Sequence, residues 1–530
     1  MRRETMLRNI RERSGPWDIA VIGGGATGVG VAVDAASRGL DVVLVEAYDF
    51  GKGTSSRSTK LVHGGVRYLE QGNIPLVMSA LKERGLLRQN APHLVHDLAF
   101  VVPNYSWWEA PFYGIGLKLY DLLAGKYGFG VSKVLSKEET LERLPALEAE
   151  ELRGGVVYYD GQFDDARLLI HLAMTAADHG GTVVNYCPAT ALLQDDEGYV
   201  NGLRARDALT GEELAIHARI VVNATGVFTD SIRRMADAKA EPLLVTSQGI
   251  HLVFDRSFLK GDTALMVPRT SDGRVLFVIP WHGHAVAGTT DTPIEAPVLE
   301  PRALDEEIEF ILGTAGLYLT RPPTRADVLS VYVGLRPLVK GEGKTATLSR
   351  DHVIHVDPSG LLTIAGGKWT TYRHMAEDCV DHCITLGRLR DESCRTRNLR
   401  IHGYLDDSAE RNRADLEEWR DGSEHLAVYG SDGDAIRELM RADPTMAEKL
   451  DRELPYTAAE IVWGARAEMA CSVEDSLARR TRALFLNARS AMAMAPAAAR
   501  LLARELGRGE DWMEAQVSEF RALAEQYRVT

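Results

Sequence analysis

A glycine turn between two apolar runs is the feature that most constrains how this chain folds. Residues 17–22 read WDIAVI and lead into GGGATG at residues 23–28. An alanine-rich segment follows as far as Arg38, and a second apolar run, DVVLVE, ends at Glu46. This order predicts a strand, a tight turn, a helix and a second strand, which make one βαβ unit of about 30 residues.

The spacing of three glycines in this turn indicates a site for a dinucleotide. Gly23 permits the turn, Gly25 lets the backbone approach a diphosphate, and Gly28 lets the helix lie close to the strand. The diphosphate would lie at the helix N-terminus, where free N–H groups favour negative charge. Glu46, 18 residues beyond Gly28, suits the hydroxyls of an adenosine ribose. The motif does not separate FAD from NAD, and a turn that only packs a helix on a sheet is the alternative.

Composition excludes several classes of protein. The 530 residues suggest two to four compact units, at roughly 100–200 residues per domain. An apolar share of 45% and a charged share of 26% are typical of a globular chain, and not of a disordered chain, a collagen or a bundle of membrane helices. With 61 Lys and Arg against 75 Asp and Glu, the net charge of −14 argues against a nucleic-acid partner. An anionic substrate therefore needs a local basic pocket.

The five cysteines include no C-x-x-C pair, so the sequence predicts neither a disulfide framework nor a zinc ribbon. Cys379 and Cys383 lie near His382, but two further metal ligands are missing there. We predict buried thiols in a reducing compartment and no metal site. Residues 1–16 are rich in arginine without an apolar core, which favours a short surface helix or a frayed arm over a secretory signal.

The stretch after the βαβ unit, residues 51–73, is dense in Gly, Ser and Thr, as a loop against a ligand would be. It carries four potential cations near the predicted diphosphate, which are Arg57, Lys60, His63 and Arg67. Its string T-S-S-x-S-x-K-L-x-H-G-G-x-R-Y-L-E, residues 54–70, resembles the FAD-dependent, quinone-linked sn-glycerol-3-phosphate dehydrogenases. This string is much more specific than the glycine turn.

The resemblance recurs along nearly the whole chain. It continues in YYDGQFDDARL (158–168), IVVNATG (220–226), FVIPWHGHAVAGTTD (277–291), VGLRPL (333–338), LSRDH (348–352), AGGKWTTYR (365–373) and AEMACSVEDSLARRTRALFLN (467–487). It implies an α/β fold with a Rossmann-like FAD-binding domain of the glutathione-reductase and amino-acid-oxidase type, a β-rich substrate domain and a C-terminal helical domain. It further implies that the protein oxidises sn-glycerol 3-phosphate to dihydroxyacetone phosphate by hydride transfer to FAD, with the electrons passed to a membrane quinone.

The resemblance also implies the residues of the site. The positions that it assigns to FAD are Gly23, Gly25, Gly28, Glu46, Thr54, Ser55, Ser56, His63, Gly65, Gly226, Gly367, Lys368, Thr370 and Thr371. The positions that it assigns to substrate binding and catalysis are Arg67, Tyr68, His251, Arg336 and Lys368.

The chemistry of such a reaction needs fixed cations and a base. Arg336, Arg67 and Lys368, together with Arg350, are the candidates for holding a phosphate. A histidine suits proton abstraction near neutral pH, and both His251 and His63 fall in matching segments. For either histidine, a hydrogen bond to the backbone or to a flavin phosphate is the alternative role. Lys368 also suits stabilisation of the reduced flavin.

One position departs from the family pattern. Residue 248 is Gln where relatives often carry Lys. We expect this change to remove one cation from the approach to the site and to alter how the phosphate is held.

The resemblance and the residue patterns divide the chain into three predicted domains. Residues 17–75, 155–230 and 345–385 are assigned to a discontinuous FAD-binding domain, and residues 76–154 and 231–344 to the substrate domain. Residues 390–530 are assigned to the helical domain, with a role in packing and assembly. Within it, Pro496 to Leu506 is predicted to form a helix closed by Gly507.

Residues 106–130, SWWEAPFYGIGLKLYDLLAGKYGFG, are rich in aromatic residues. They indicate either a segment that dips into lipid or an aromatic helix packed on the substrate domain. The family is peripherally membrane-bound, so the resemblance implies a cytoplasmic protein that is peripheral on the inner face of the cytoplasmic membrane. A homodimer is a further expectation.

Three other activities fit parts of the pattern. The nearest is a glycerol-3-phosphate oxidase that reduces oxygen to hydrogen peroxide. A more distant one is an amine or amino-acid oxidase, which would bind a carboxylate with one Arg. The third is a flavin-binding scaffold without turnover.

Overall fold

The computed structural model describes residues 1–66, 69, 72–270, 273–340, 351–405 and 424–529. Arg67, Tyr68 and Arg350, three of the predicted site residues, lie outside the described residues.

The described strands and helices alternate along most of the chain. The strands are β1 (Trp17–Ile22), β2 (Val42–Val45), β3 (Leu61–Val62), β4 (Val95–Asn104), β5 (Lys133–Leu135), β6 (Gly154–Phe163), β7 (Thr182–Val184), β8 (Ala189–Gln194), β9 (Val200–Arg206), β10 (Glu213–Asn223), β11 (Leu244–Asp255), β12 (Thr263–Val267), β13 (Leu276–Trp281), β14 (His284–Gly288), β15 (Thr292–Ile294), β16 (Val328–Val339), β17 (His352–Val356) and β18 (Leu362–Gly366). The α-helices are α1 (Arg3–Arg11), α2 (Ala26–Ser37), α3 (Ile74–Asn90), α4 (Glu109–Ala124), α5 (Lys137–Arg143), α6 (Asp165–Asp178), α7 (Thr229–Ala236), α8 (Asp305–Gly316), α9 (Tyr372–Gly387), α10 (Gly433–Ala442), α11 (Ala458–Ala467), α12 (Ala483–Leu486), α13 (Ala488–Leu506) and α14 (Glu510–Ala524).

The first of two β-sheets contains the predicted βαβ unit, formed by β1, α2 and β2. Its strand order is β17-β18-β10-β1-β2-β7, and the neighbours from β18 to β7 are parallel. The strands β1 and β2 are buried along nearly their whole length, which explains why their sequences are apolar without alternation. Helix α2 packs between α6 and α9. Gly30 permits the close approach to α9, since a Cβ there would lie 3.0 Å from the ring of Tyr372.

The second sheet covers the carboxyl-end side of the first with ten strands. Its order is β15-β11-β14-β13-β12-β4-β6-β3, with β16 beside β11 and β5 beside β6. The two 12-residue strands β11 and β16 pair antiparallel, with His251 opposite Tyr332 and Ser247 opposite Arg336.

One predicted domain boundary differs from the observed sheets. The predicted FAD-binding segment 155–230 includes nearly all of β6, yet β6 belongs to the second sheet. The reason is that β6 pairs with β4 along one edge and with β3 and β5 along the other, so its partners on both edges belong to the second sheet. The rest of the division into three domains stays a prediction.

The C-terminal part is helical, as the sequence predicts. Helix α13 ends at Leu506, where Gly507 takes a φ of 64°, so the predicted helix end is confirmed. The predicted start at Pro496 is wrong, because α13 begins at Ala488 and Pro496 lies inside it. Proline cannot bond the carbonyl four residues before it. That carbonyl, of Met492, accepts a hydrogen bond from Arg521 Nε at 3.5 Å.

Buried ion pairs join the C-terminal part to the first sheet. Arg479 Nε and Arg480 Nη1 lie 2.5 and 2.7 Å from Asp49 Oδ2, in the segment after β2. Arg482 Nε lies 2.9 Å from Asp164 Oδ2, just before α6. Removal of one partner of a buried pair typically costs about 3–5 kcal/mol. These ion pairs therefore support the predicted packing role of the helical part.

The N-terminal segment forms a short helix, which is one of the two structures that the sequence predicts for it. In α1, Met6, Leu7 and Ile10 are buried, and Arg3 Nη2 lies 2.6 Å from Asp207 Oδ1. Throughout the described ranges, the structure contains no helix with the length and apolar character needed to span a bilayer. Within those same ranges, no cluster of three or more metal-binding side chains is placed to hold an ion.

Candidate active site

A cavity of about 810 Å³ lies where the parallel strands of the first sheet end, against the second sheet. Its walls from the first sheet are the segments that directly follow β1, β2, β10 and β18. Its walls from the second sheet include Gly249 and His251 of β11 and Arg336 of β16. The carboxyl ends of parallel strands are the usual binding edge of such a sheet, and the volume suits a large ligand.

The glycine turn has the geometry that a diphosphate site needs. Gly23 has a φ of 113°, and a Cβ there would lie 2.7 Å from the carbonyl oxygen of Ala224. Gly25 lines the cavity, and a Cβ there would meet only Ser55 Oγ within 4 Å. Gly28 does not line the cavity, and a Cβ there would overlap the carbonyl oxygen of Gly23. Its role is the close packing of α2 on the turn.

Glu46 lies on the cavity wall where a ribose-binding carboxylate is predicted. Its Oε2 accepts a hydrogen bond from the backbone N–H of Gly24 at 2.5 Å, and its Oε1 accepts one from Tyr48 at 2.8 Å. Each oxygen keeps a second lone pair for a ligand hydroxyl. Burial raises the pKa of Glu46, against these two backbone hydrogen bonds.

The loop of residues 54–65 closes one side of the cavity. Thr54, Ser55, His63 and Gly65 line it, as predicted positions for FAD. Ser55 Oγ also accepts a hydrogen bond from the N–H of Ala26 at 2.9 Å, which holds the loop to the start of α2.

Two predicted FAD contacts face away from the cavity. Ser56 is 1% exposed and donates its hydroxyl to the carbonyl of Gly51 at 2.8 Å. Thr371 donates its hydroxyl to the carbonyl of Lys368 at 3.2 Å and is absent from the cavity wall. Both hydroxyls serve the local turns instead, which a motif string does not reveal.

The segment after β18 supplies another wall. Gly367, Lys368, Trp369 and Thr370 line the cavity, and Gly367 has a φ of 77°. Trp369 was not predicted as a site residue, yet its Nε1 donates to the carbonyl of Ser55 at 2.8 Å and ties two walls together. Gly226, with a φ of 58°, follows β10, and a Cβ there would meet nothing within 4 Å. These glycine-lined walls fit FAD, whose adenosine diphosphate would follow the first turn.

Arg336 reaches the cavity from the second sheet. Its Nη2 donates to the carbonyl of Thr290 at 2.8 Å and to Thr289 Oγ1 at 3.1 Å, and its Nη1 lies 3.2 Å from Asp291 Oδ1. The guanidinium side chain is 21% exposed, so it is held in place and still accessible. A planar group with this support suits a phosphate.

Gln248 does not face this site, contrary to the expectation that residue 248 lies on the approach to it. Its side chain is 5% exposed, and its Nε2 donates to Glu307 Oε2 at 2.7 Å and to the carbonyl of Arg302 at 3.1 Å. The side chain is absent from the cavity wall, whereas the neighbouring Gly249 lines it. Because successive residues of a strand face opposite sides, a Lys at 248 would face Glu307 rather than the cavity.

His251 is buried at the cavity wall. Its ring stacks on Tyr332 with centroids 4.8 Å apart and planes 12° apart, and its Nε2 lies 2.9 Å from Thr59 Oγ1. Burial, together with the charges of Lys60 and Arg336, holds the pKa of His251 well below its usual range. The imidazole is therefore neutral near pH 7, as a base must be before it accepts a proton.

Two of the four cations predicted near the diphosphate are already paired. Lys60 is fully buried, with Nζ 2.8 Å from both carboxylate oxygens of Asp165, and it does not line the cavity. Arg57 lines the cavity, but its Nη2 lies 2.8 Å from both oxygens of Glu300. His63 lines the cavity, and its backbone N–H donates to Thr370 Oγ1 at 3.2 Å.

Comparison with known protein families gives two matches along the chain. Residues 18–373 match the family described as FAD dependent oxidoreductase. Residues 394–516 match the C-terminal domain of alpha-glycerophosphate oxidase.

Known proteins resemble the chain over nearly its whole length. It is 42% identical over 536 residues to a mitochondrial glycerol-3-phosphate dehydrogenase of Mesocricetus auratus. This match covers 97% of this chain and 73% of the Mesocricetus auratus protein. It is 41% identical over 525 residues to a mitochondrial glycerol-3-phosphate dehydrogenase of Arabidopsis thaliana, and this match covers 93% of this chain and 83% of that protein.

Solved structures share the fold. The glycerol-3-phosphate dehydrogenase from Bacillus halodurans, complexed with FAD, has a TM-score of 0.81 at 32% identity over 99% of this chain and 97% of that one. The L-alpha-glycerophosphate oxidase from Mycoplasma pneumoniae, with FAD bound, has a TM-score of 0.56 at 16% sequence identity. The match covers 72% of this chain and 97% of that one, and at this identity it shows a shared fold alone. The predicted fold class and FAD dependence are confirmed. The chain belongs to the family of FAD-dependent glycerol-3-phosphate dehydrogenases.

Proposed function

We propose that this enzyme oxidises sn-glycerol 3-phosphate to dihydroxyacetone phosphate and passes the electrons to a membrane quinone. The observation that carries the proposal is one cavity that joins a glycine-lined nucleotide site to Arg336, Lys368 and a neutral, buried His251. When bound, FAD supplies the two-electron acceptor for the hydride that leaves C2 of the substrate.

The cations of this cavity favour a phosphorylated alcohol as the substrate. Arg336 offers two guanidinium nitrogens in a fixed plane, and Lys368 offers a compact charge from the first-sheet wall. Each charge-assisted hydrogen bond is worth about 1.5–3 kcal/mol. A substrate without the phosphate, such as glycerol, would not form these hydrogen bonds and would bind far more weakly.

Proton removal is assigned to His251. Its imidazole is neutral, stacked in place by Tyr332 and hydrogen-bonded at Nε2, so the ring does not need to reorient before it accepts a proton. The proton leaves the C2 hydroxyl as the hydride leaves C2, which gives the ketone. Arg67 and Tyr68 are kept in the proposed substrate pocket on the resemblance of their motif.

The surface of α4 supports contact with a membrane. Trp107, Trp108, Phe112, Ile115, Leu119 and Leu122, which we call the α4 apolar stripe, are between 41% and 79% exposed. From Trp108 onward they recur at spacings of four and three residues, so they share one helix face. The opposite face, with Leu117, Tyr120 and Ala124, is buried. A helix that is apolar on both faces is poorly matched to water, and Trp and Tyr favour the lipid boundary.

The buried side of α4 links this surface to the cavity. Tyr120 Oη donates to Asp160 Oδ2 at 2.7 Å and accepts a hydrogen bond from the N–H of Gly64 at 2.8 Å. Gly64 lies between His63 and Gly65, and these two residues and Asp160 all line the cavity. A quinone that approaches from lipid would therefore meet the protein close to the proposed flavin site. We place the enzyme on the inner face of the cytoplasmic membrane; a homodimer stays a prediction.

Turnover measurements with two acceptors test the proposal. We expect sn-glycerol 3-phosphate to reduce a soluble quinone analogue in the absence of oxygen, with glycerol as the matched control that lacks the phosphate. Under air without quinone, we expect little hydrogen peroxide. Peroxide formed at the rate of substrate oxidation would identify an oxidase instead, and equal rates with glycerol would contradict the role of Arg336 and Lys368.

A further inference from the structure

Only one of the two ring nitrogens of His251 has a hydrogen-bond partner in the described part of the chain. Nδ1 is fully buried and has no hydrogen-bond partner among the described residues. Nε2 lies 2.9 Å from Thr59 Oγ1, and the residue as a whole is 3% exposed. A proton that enters the ring from the cavity therefore arrives at Nε2, where the hydroxyl of Thr59 already lies.

Thr59 is the more accessible member of this pair. It lines the cavity and is half-buried, whereas its two neighbours in sequence are tied to Asp165. The N–H and hydroxyl of Ser58 donate to Asp165 Oδ2 at 3.0 and 2.7 Å, and Lys60 Nζ lies 2.8 Å from the same carboxylate. Thr59 is thus held between two anchored residues, which fixes its hydroxyl relative to the imidazole.

The surroundings prevent the ring from turning. Tyr332 stacks on one face, and a Cβ at Gly288 would overlap the Cδ2 edge of the imidazole. The charged groups that face the ring are the cations Lys60 and Arg336, and the carboxylate of Asp165 is already paired with Lys60. The phenol of Tyr332 donates to the carbonyl of Ser58 at 3.1 Å. No described carboxylate bonds to the imidazole, so Thr59 is its described hydrogen-bond partner.

We propose, building on the proposed function, that Thr59 relays the proton of the substrate's C2 hydroxyl to His251. The substrate O–H bond breaks as its proton passes to Thr59 Oγ1, and the hydroxyl proton of Thr59 passes to His251 Nε2. The C2–H bond breaks at the same time, with its electron pair leaving as hydride to the oxidised flavin. The products are the ketone, an imidazolium, an unchanged threonine hydroxyl and a flavin that would carry the hydride as its reduced anion, so atoms and charge balance.

The relay requires one tautomer of the resting histidine. Thr59 can donate only if Nε2 carries the lone pair, so the neutral ring must hold its proton on Nδ1. The cations Lys60 and Arg336 disfavour the imidazolium, so the proton returns through Thr59 to the cavity once the ketone has left. The proposed relay gives Thr59 a role in proton transfer, which could not be inferred from its position in a Ser- and Thr-rich loop.

Substitution of Thr59 tests the relay in the holoenzyme. Thr59→Val keeps the shape and removes the hydroxyl, and we expect flavin reduction by anaerobic substrate to slow about 100-fold, in the range of general acid–base catalysis. FAD content and substrate affinity should stay within about twofold. Thr59→Ser keeps the hydroxyl and should restore most of the rate. A Thr59→Val rate within twofold of the parent would overturn the proposal.

Nitrogen NMR of histidine-labelled holoenzyme tests the tautomer without any substrate. His251→Gln identifies the signals, and we expect a protonated Nδ1 and an unprotonated Nε2 in the parent enzyme. The opposite tautomer, with Nε2–H donating to Thr59, would also overturn the relay. If wild-type flavin is not reduced by sn-glycerol 3-phosphate but the tautomer is as expected, the proposed function fails and the hydrogen bond stands.

Discussion

Gly249 lies against the guanidinium of Arg336 across the β11–β16 pair, with no room between them for a side chain. A Cβ at position 249 would overlap Arg336 Nη2 and lie 2.5 Å from the carbonyl oxygen of Thr290. The backbone of β11 therefore sets where the cation is held. The predicted phosphate site depends on this absence of a side chain as much as on the arginine itself.

Gly249→Ala is expected to displace Arg336 and to weaken substrate binding. Loss of one charge-assisted hydrogen bond of about 1.5–3 kcal/mol corresponds to a KM for sn-glycerol 3-phosphate raised roughly 10- to 150-fold. Steady-state kinetics with flavin absorbance as the measure of bound FAD check this. An unchanged KM would mean that Arg336 does not hold the phosphate.

Arg336→Ala is expected to raise the KM for sn-glycerol 3-phosphate at least as steeply while FAD stays bound. In the proposed site the guanidinium that this variant removes binds the phosphate, so any activity with glycerol should change little. Arg336→Lys should recover only part of the affinity, because an ammonium does not present two donors in one plane. Loss of FAD with an unchanged KM in the remaining holoenzyme contradicts the assignment.

Gly28→Ala is expected to give protein that retains little FAD. A Cβ at position 28 would overlap the carbonyl oxygen of Gly23 and force α2 away from the turn that faces the diphosphate. The flavin absorbance of the purified protein measures this. Gly313→Ala in α8, where a Cβ meets nothing within 4 Å, is the matched control and should keep its full FAD content.

Stability should fall as the pH rises through about 9, because of His402. Burial alone would lower the pKa of this histidine, but hydrogen bonds to Asp178 and Asp432 raise it from 6.5 to about 9. A pKa raised on folding contributes stability that is present below about 6.5 and is lost as the pH passes 9. With discount for solvent screening, the contribution is about 1–2 kcal/mol.

Urea unfolding at two pH values isolates this contribution. We expect His402→Gln to be less stable than the parent at pH 6 and nearly equal to it at pH 10, on either side of the folded pKa. A difference that is the same at both pH values would show that the charge of His402 is not involved.

The α4 apolar stripe should determine binding to lipid. Ile115→Glu and Leu122→Glu place a charge on side chains that are 73% and 76% exposed, so they should leave folding intact and reduce sedimentation with phospholipid vesicles several-fold. Leu317→Glu, at an equally exposed leucine (75%) outside the stripe, is the matched control and should bind vesicles like the parent. Equal loss in all three variants would exclude a specific lipid-binding face.

The nucleotide half of the site was predictable because its signals are local. The turn from Gly23 to Gly28 and the run that ends at Glu46 lie within one βαβ unit, where spacing alone fixes which backbone groups face the ligand. The substrate half was reached through resemblance, since His251 and Arg336, 85 residues apart in sequence, come together only by the pairing of β11 with β16.

Side-chain direction and long-range pairing were not predictable. Lys60 does not reach the cavity because its ammonium group is paired with the carboxylate of Asp165, a residue 105 positions away in sequence. Gln248 faces Glu307 because it is adjacent to Gly249 on β11, and adjacent residues of a strand face opposite sides. A one-residue shift in strand register would have turned the side chain of residue 248 towards the cavity. The boundary at β6 differs for the same reason, since strand pairing is decided by partners that sequence spacing does not identify.

Anaerobic addition of sn-glycerol 3-phosphate to the oxidised holoenzyme tests the central claim most directly. We expect the visible flavin absorbance to bleach with one equivalent of substrate per bound flavin, and one equivalent of dihydroxyacetone phosphate to form. An oxidised flavin spectrum that persists at saturating substrate, in protein with its full FAD content, would contradict the account.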